Sequence, residues 1–332
     1  MLPQNDQALL VSHMKNLKQV AVIVAAFVAV QLLAIAFMHY ALGEEDQVFS
    51  DPGDPMIAVY YILMLLGFTL LFLILVKFNL DKVMKGIFFV SIGFVVFFVA
   101  TFLSALLIPD SSGDNSLIVL VIGIAFAVLS ILAIWRYPEW WVIDIVGLPM
   151  AVGIVALLGI SFSIVPMLVL LTGLAVYDFI SVYKTKHMLT LAEGVSEMGL
   201  PLLIVIPKKL PYSYREQKVK LTDKSGEKKE REAFLVGLGD LIIPGLLASS
   251  AFWFISVSDA FAQSPVSLFD VPGYILVALG TIAGAAIGLV ALMRIVVKGN
   301  PQAGLPLLNG GAIAGFFISY ILVFGLNFSY IG

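Results

Sequence analysis

The chain has 332 residues, 61% of them hydrophobic and 12% charged, with a formal net charge of −3. Soluble domains carry about 25% charged residues, so this composition belongs to a polytopic membrane protein and excludes a soluble one. There is no cysteine, which removes a disulfide framework, a thiolate metal site and a cysteine nucleophile.

Nine apolar runs follow in chain order, at 17–42, 56–78, 86–108, 117–135, 141–160, 164–183, 234–258, 273–297 and 303–326. Each is long enough to cross a bilayer. The expected fold is an all-α polytopic membrane protein with nine transmembrane helices in one membrane domain, 1–332. Spans one to five fill 17–160, spans six and seven are 164–183 and 234–258, a cytoplasmic loop is 184–233, and spans eight and nine fill 273–326. The first run follows Lys15 and Lys18. It is too long for a signal-peptide core and lacks a small-residue cleavage site, so it is expected to be a retained span. Ser161-Phe162-Ser163 and Pro166 place the turn between spans five and six.

The basic residues set the orientation. Lys15 and Lys18, then Lys77, Lys82 and Lys85, then Arg136, eleven Lys/Arg between 184 and 231, and finally Arg294 and Lys298 account for all 19. In a nine-span chain all of them fall on one side. The opposite connections carry Glu44, Glu45, Asp46, Asp51, Asp54, Asp110, Asp114, Asp259 and Asp270. The positive-inside rule then places the N-terminus in the cytoplasm and the C-terminus outside.

The one long connection begins with apolar residues at 188, 189, 191, 195 and 198, a spacing that predicts an amphipathic helix over 187–200. Residues 202–206 form a β-type run ended by Pro207, 217–221 alternate, and Asp223-Lys224-Ser225-Gly226 is a turn signal.

Two carboxylates inside apolar runs carry the functional argument, because an acid at membrane depth is costly and by default marks a functional site. Asp178 sits in Tyr177-Asp178 near the end of span six, and Asp240 in Val236-Gly237-Leu238-Gly239-Asp240 near the start of span seven. On consecutive antiparallel spans, at 1.5 Å per residue, both lie roughly 8–9 Å from the same surface. Two carboxylates a few ångströms apart cannot both ionise cheaply, so such a pair shares a proton. One can then take a proton from water while the other gives one to a carbonyl oxygen, which is aspartic-protease chemistry. The competing readings are a proton- or cation-coupled transporter or ion leak using the same two Asp, and a structural polar contact between helices. Inverted repeats with broken helices would favour a transporter, and none is visible.

Gly237 and Gly239 leave the neighbourhood of Asp240 without side chains, so backbone or substrate can approach. Pro244 is expected to kink the same span. Gly304-Leu305-Pro306-Leu307-Leu308-Asn309 opens span nine. Its proline either starts a helix or marks irregular backbone lining a cavity. Asp144 is expected to pair with Arg136 or reach headgroup water. Gly280, Gly284, Gly288, Gly311 and Gly315 form small-residue stripes expected to be packing faces. The three histidines, His13, His39 and His187, form no His-Glu-x-x-His, so neither metal nor cofactor is expected. No Gly-x-Ser-x-Gly lies in a span.

Together Ala175-Val176-Tyr177-Asp178, Gly237-Leu238-Gly239-Asp240 and Leu305-Pro306-Leu307-Leu308 resemble the three signatures of presenilin-type GxGD intramembrane aspartyl proteases, in order, spacing and span position. The segment 187–201 resembles the amphipathic piece after the sixth presenilin span. The resemblance is strong from Ile164 onward, and the first five runs resemble the family only as spans. It implies that Asp178 and Asp240 are the catalytic pair of a hydrolase. Tyr177, Gly237, Leu238, Gly239, Leu305, Pro306, Leu307 and Leu308 would then support the site. Family members usually read Pro-Ala-Leu, so the larger Leu307 is expected to narrow the site or alter substrate preference. Signal peptide peptidases share Tyr-Asp and Gly-x-Gly-Asp in an inverted topology, and the basic residues favour the presenilin orientation. Prepilin-type peptidases share only Gly-x-Gly-Asp.

The implied partners are single-span membrane protein substrates and the lipid bilayer, not nucleic acid. An unwound substrate is expected to pair with 202–206 or with a strand near 233–236. The short loop is expected to remain uncut. The chain is expected to need no further subunits, with homo-oligomerisation open, and to reside in a prokaryotic cell membrane.

Overall fold

In a bilayer, backbone polar groups must be satisfied within the segment, so long apolar sequences become helices. In the computed structural model the described residues are 4–108, 116–185, 203–208, 212–213, 233–257, 271–296, 302–328 and 331, with side chains described from residue 18. The expected helix at 187–200 and the alternating and turn segments at 217–226 lie outside them. Among the described residues nine helices are long and apolar enough to span a membrane. They are α1 (Gln4–Ala41), α2 (Pro55–Lys77), α3 (Asp81–Leu107), α4 (Ser116–Arg136), α5 (Trp140–Ser161), α6 (Ile164–Ile180), α7 (Leu238–Ser256), α8 (Gly273–Val296) and α9 (Leu305–Phe324).

Local chemistry sets the ends. Asp54 caps α2 by accepting from the Met56 N–H, with Pro55 in the first turn. Asn79 takes the left-handed conformation, at φ 52°, in the tight connection to α3. The turn between α5 and α6 falls where Ser161-Phe162-Ser163 predicts it. The Ser161 hydroxyl accepts from the Val48 N–H at 2.9 Å, and the Ser163 N–H donates to the Pro52 carbonyl at 2.9 Å. Phe162 is fully buried, edge-to-face against Phe49 and Tyr61. The 42–54 connection therefore locks this end of the bundle.

The centre is built by α5 and α7, which pack on each other and, between them, on α1, α6, α8 and α9. The outer helices α2 and α4 expose large apolar side chains such as Leu63, Leu70, Val121 and Leu129. That surface suits lipid rather than water. α8 and α9 meet along their glycines. Gly284 lies against the backbone of Gly311 and Gly315, Gly280 against Gly315 and Ser319, and Gly288 against the Leu307 carbonyl. The small-residue stripes are thus a packing seam between these two helices.

One boundary differs from expectation. Residues 234–237, counted in the seventh apolar run, are not helical. They belong to strand β2 (Ala233–Gly237), where a strand near 233–236 is expected, and it pairs antiparallel with β1 (Leu203–Pro207), Leu203 opposite Gly237 and Pro207 opposite Ala233. Phe234, Leu235 and Val236 are good strand residues, and a short apolar run does not by itself distinguish strand from helix. Within the expected 202–206 run, 203–206 are strand, and their partner is β2.

The seam yields a stability test. A Cβ on Gly284 would stand 2.7 Å from the Gly315 Cα, whereas one on Gly67 in α2 would meet nothing within 4 Å. Gly284→Ala is expected to destabilise by about 1–3 kcal/mol and Gly67→Ala to be neutral, read as thermal unfolding in detergent micelles.

Candidate active site

Along α6 the buried positions Met167, Leu170, Leu171, Leu174 and Asp178 form one stripe at helical spacing. That stripe carries Asp178, 3% exposed, into the bundle. The helix loosens directly after it. The Ser181 hydroxyl donates back to the Asp178 carbonyl at 3.0 Å, and Ser181–Thr185 form a π-helical turn, a feature common at functional sites.

The Asp178 side chain ends on α9. Its Oδ2 accepts from the Leu305 N–H at 3.0 Å. A helix start leaves N–H groups without intrahelical partners. Here Asp178 takes the first, Pro306 has none to offer, and the Leu307 and Leu308 N–H groups both donate to the Gly304 carbonyl at 3.2 Å. A carboxylate from α6 therefore caps α9, with the favourable sign for a helix N-terminus. Pro306 lies in the first turn of a regular helix, so the helix-start reading of this proline holds.

Asp240 sits in the first turn of α7, half-buried, beside the exposed Gly239. Gly304 stands between the two acids. The peptide that follows it presents the Leu305 N–H to Asp178, and the place a Cβ would occupy is 3.1 Å from Asp240 Oδ1. Its φ of −79° is open to any residue, so glycine is required here for space, not conformation. Gly237 likewise abuts Asp240, at 3.3 Å from Oδ2 to its Cβ position, and among the described residues Gly239 has only Ile243 nearby, at 3.8 Å. The two carboxylates thus face the same turn from different helices.

The other expected residues distribute differently. The Tyr177 hydroxyl points to α2, 3.4 Å from Thr69 Oγ1. Leu238, Leu305 and Leu308 are buried, while Pro306 and Leu307 are half-buried. Leu307 packs on the main core. The contacts from this turn to the acids come from Gly304 and Leu305.

Two buried amides were not anticipated. Gln31 of α1 donates through Nε2 to the Leu241 carbonyl at 2.7 Å, and Gly245 leaves the room it fills. It braces α7 where Pro244 lies inside the helix and cannot donate to the Asp240 carbonyl. Asn309 of α9 donates to the Leu171 carbonyl at 2.8 Å, tying α9 to α6 two turns from Asp178. The only signal in the sequence was an amide side chain inside an apolar run. Asp144 also departs from expectation. Its Oδ1 accepts from the Val205 N–H at 3.0 Å, while Arg136 lies over the Tyr137 ring at 5.2 Å. A buried strand N–H needs an acceptor more than a surface arginine does.

The chain that carries these two acids has relatives. The family model described as signal-peptide peptidase, presenilin aspartyl protease matches residues 24–326. The chain belongs to this family. The match takes in the first five spans, well beyond the three signatures. Two solved structures of a presenilin family intramembrane aspartate protease are similar to it. One, in space group C222, is 30% identical, covers 91% of this chain and 99% of its own, and superposes with a TM-score of 0.63. The other, in space group P2, is 31% identical, covers 90% and 96%, and gives 0.59. No curated protein matches. This presenilin-family chain is an integral multi-pass membrane protein and an intramembrane aspartyl protease.

The wedge between the acids makes a direct prediction. Gly304→Ala places a methyl 3.1 Å from Asp240 Oδ1 and 3.3 Å from Leu292 Cδ2. It is expected to lower proteolytic kcat at least about tenfold, since small displacements of reacting groups carry losses on the order of 100-fold. Gly310→Ala, where a Cβ meets nothing within 4 Å, is expected to leave kcat unchanged.

Proposed function

We propose that Asp178 and Asp240 are the catalytic pair and cut peptide bonds of single-span membrane proteins within the bilayer. The observation that carries this reading is the Gly304–Leu305 turn, which meets Asp178 through the Leu305 N–H and Asp240 across the bare Cα of Gly304. The pair shares one proton. A water molecule attacks the scissile carbonyl carbon, giving a proton to one carboxylate as the other carboxylic acid protonates the carbonyl oxygen. The gem-diol then collapses, a proton passes to the amide nitrogen, and the products are a carboxylate end and an amine end. Proton or cation transport through the same acids has no support in the family match.

The substrate helix must first unwind, because its peptide bonds are occupied in its own hydrogen bonds. The β1–β2 sheet is its docking edge. In an antiparallel ladder alternate residues turn their backbone groups toward the partner strand. Val205 directs its N–H to Asp144, so 203, 205 and 207 face away from β2, and Pro207 needs no partner. Ile204 and Ile206 then bond with Val236 and Phe234. On β2 the groups at 233, 235 and 237 face the other way, and this is the edge the substrate joins by β-augmentation.

The remaining readings follow from charge and loop length. The N-terminus is cytoplasmic, the C-terminus is outside, and cleavage falls in the inner-leaflet half of the substrate. The spans and loop form a single membrane domain, with 164–183 and 234–258 carrying the acids and 184–233 remaining uncut. The chain works without further subunits, as a monomer or homo-oligomer, in a prokaryotic cell membrane.

Purified protein in liposomes, given a single-span test substrate, is the direct test. Asp178→Asn and Asp240→Asn are each expected to abolish cleavage, with the cut site mapped by mass spectrometry inside the span. Cleavage that survives both changes removes the dyad. In the same assay Leu235→Pro, which takes an outward N–H from β2, is expected to lower kcat/KM at least about tenfold. Deletion of 220–228 is expected to leave it within about twofold, and equal losses would remove the docking strand.

A further inference from the structure

A two-stranded sheet presents unpaired backbone groups along both outer edges, and either can recruit an extended chain. Here the edges are not equivalent. Val205 is fully buried, and its N–H donates to Asp144 Oδ1 at 3.0 Å. Asp144 lies in the second turn of α5. Around this bond Ile143, Val205, Tyr212 and Ala233 form a small buried cluster with Trp140 and Leu235 packed against it. One turn earlier Glu139 Oε1 accepts from the Ser213 hydroxyl at 2.8 Å. The start of α5 thus covers the outer side of β1. The outer side of β2 carries no equivalent bond among those described, and β2 runs straight into α7 and Asp240.

An acid within a spanning helix is costly without a partner, and so is a buried strand N–H without an acceptor. Each answers the other. The consequence reaches the substrate. A chain that joins β2 is held three residues from Asp240, whereas one that joins β1 is a strand further away and meets the acids displaced along its own length.

We propose that Asp144 is a positioning residue for proteolysis. By holding the Val205 N–H it closes the β1 edge, so that substrate joins β2 alone and reaches the acids in one register. This rests on the reading of Asp178 and Asp240 as the dyad and of the sheet as docking edge. What the bond needs from residue 144 is an acceptor oxygen, not a charge. Register slips that keep side chains on the same sheet face move a strand by two residues. Loss of the clamp therefore adds cuts displaced by two residues.

The test compares product distributions from the single-span substrate by mass spectrometry. Asp144→Leu is expected to shift at least about one third of the product to new cuts, two residues from those of the wild type. Asp144→Asn, which keeps the acceptor, is expected to restore the wild-type set. Val205→Pro removes the donor of the same bond and leaves the β1–β2 ladder bonds in place, and is expected to reproduce the Asp144→Leu pattern. It also stands in if the leucine variant does not fold. The double variant is expected to be no worse than either single one, because both remove one bond. An unchanged cut-site set in Asp144→Leu and Val205→Pro, even with lower activity or melting temperature, overturns the proposal, and so does failure of Asp144→Asn to rescue. Cleavage by Asp178→Asn or Asp240→Asn would instead overturn the dyad.

Discussion

The interaction on which the site depends is the cap that α6 places on α9. A helix beginning inside a membrane protein has N–H groups that neither water nor its own carbonyls can satisfy. The Asp178 side chain satisfies the first of them. The same contact brings the Gly304–Leu305 turn against Asp178 and leaves the bare Cα of Gly304 facing Asp240. Three helices distant in sequence meet at one backbone turn. Replacing the cap with an apolar residue would leave α9 without its partner at that turn, so this acid of the candidate site is also a structural tie.

Around this turn the braces come from single buried amides and bare backbone. Asn309 holds α9 to α6, and Gln31 holds the first turns of α7 to α1. In a bilayer interior, where apolar packing alone does not drive helices together, such bonds and close backbone contacts set which helices meet. The central helices α5 and α7 are the most buried of the nine, and the outer α2 and α4 are the most exposed to lipid. The site lies on the buried side of that gradient, with an opening at Gly239.

Much of this was legible in the sequence. Run length gave nine spans. Ser161-Phe162-Ser163 gave the turn after α5, and three short signatures gave the family and the two acids. What stayed hidden was pairing. A run such as 234–237 is apolar whether it becomes strand or helix, and its partner at 203–207 lies far upstream. Asp144 was visible as a costly acid, but its acceptor role depends on a strand amide that no local pattern announces. Gly304 stood within the third signature, yet its function is an empty space between two side chains. Gln31 and Asn309 were each one amide in an apolar run, which identifies a buried polar group and not its partner.

The glycine seam between α8 and α9 bears on how the site responds to load. Gly288 lies on the Leu307 carbonyl, so the first turn of α9 rests on the bare main chain of α8. Side chains between helices act as springs, since a rotamer change absorbs a small shift. The Gly288–Leu307 contact has none, and at that point a push on the first turn of α9 passes from main chain to main chain into α8. The rear wall of the site is stiff. Room for an incoming chain has to be made at the front, on the side of Gly239 and β2.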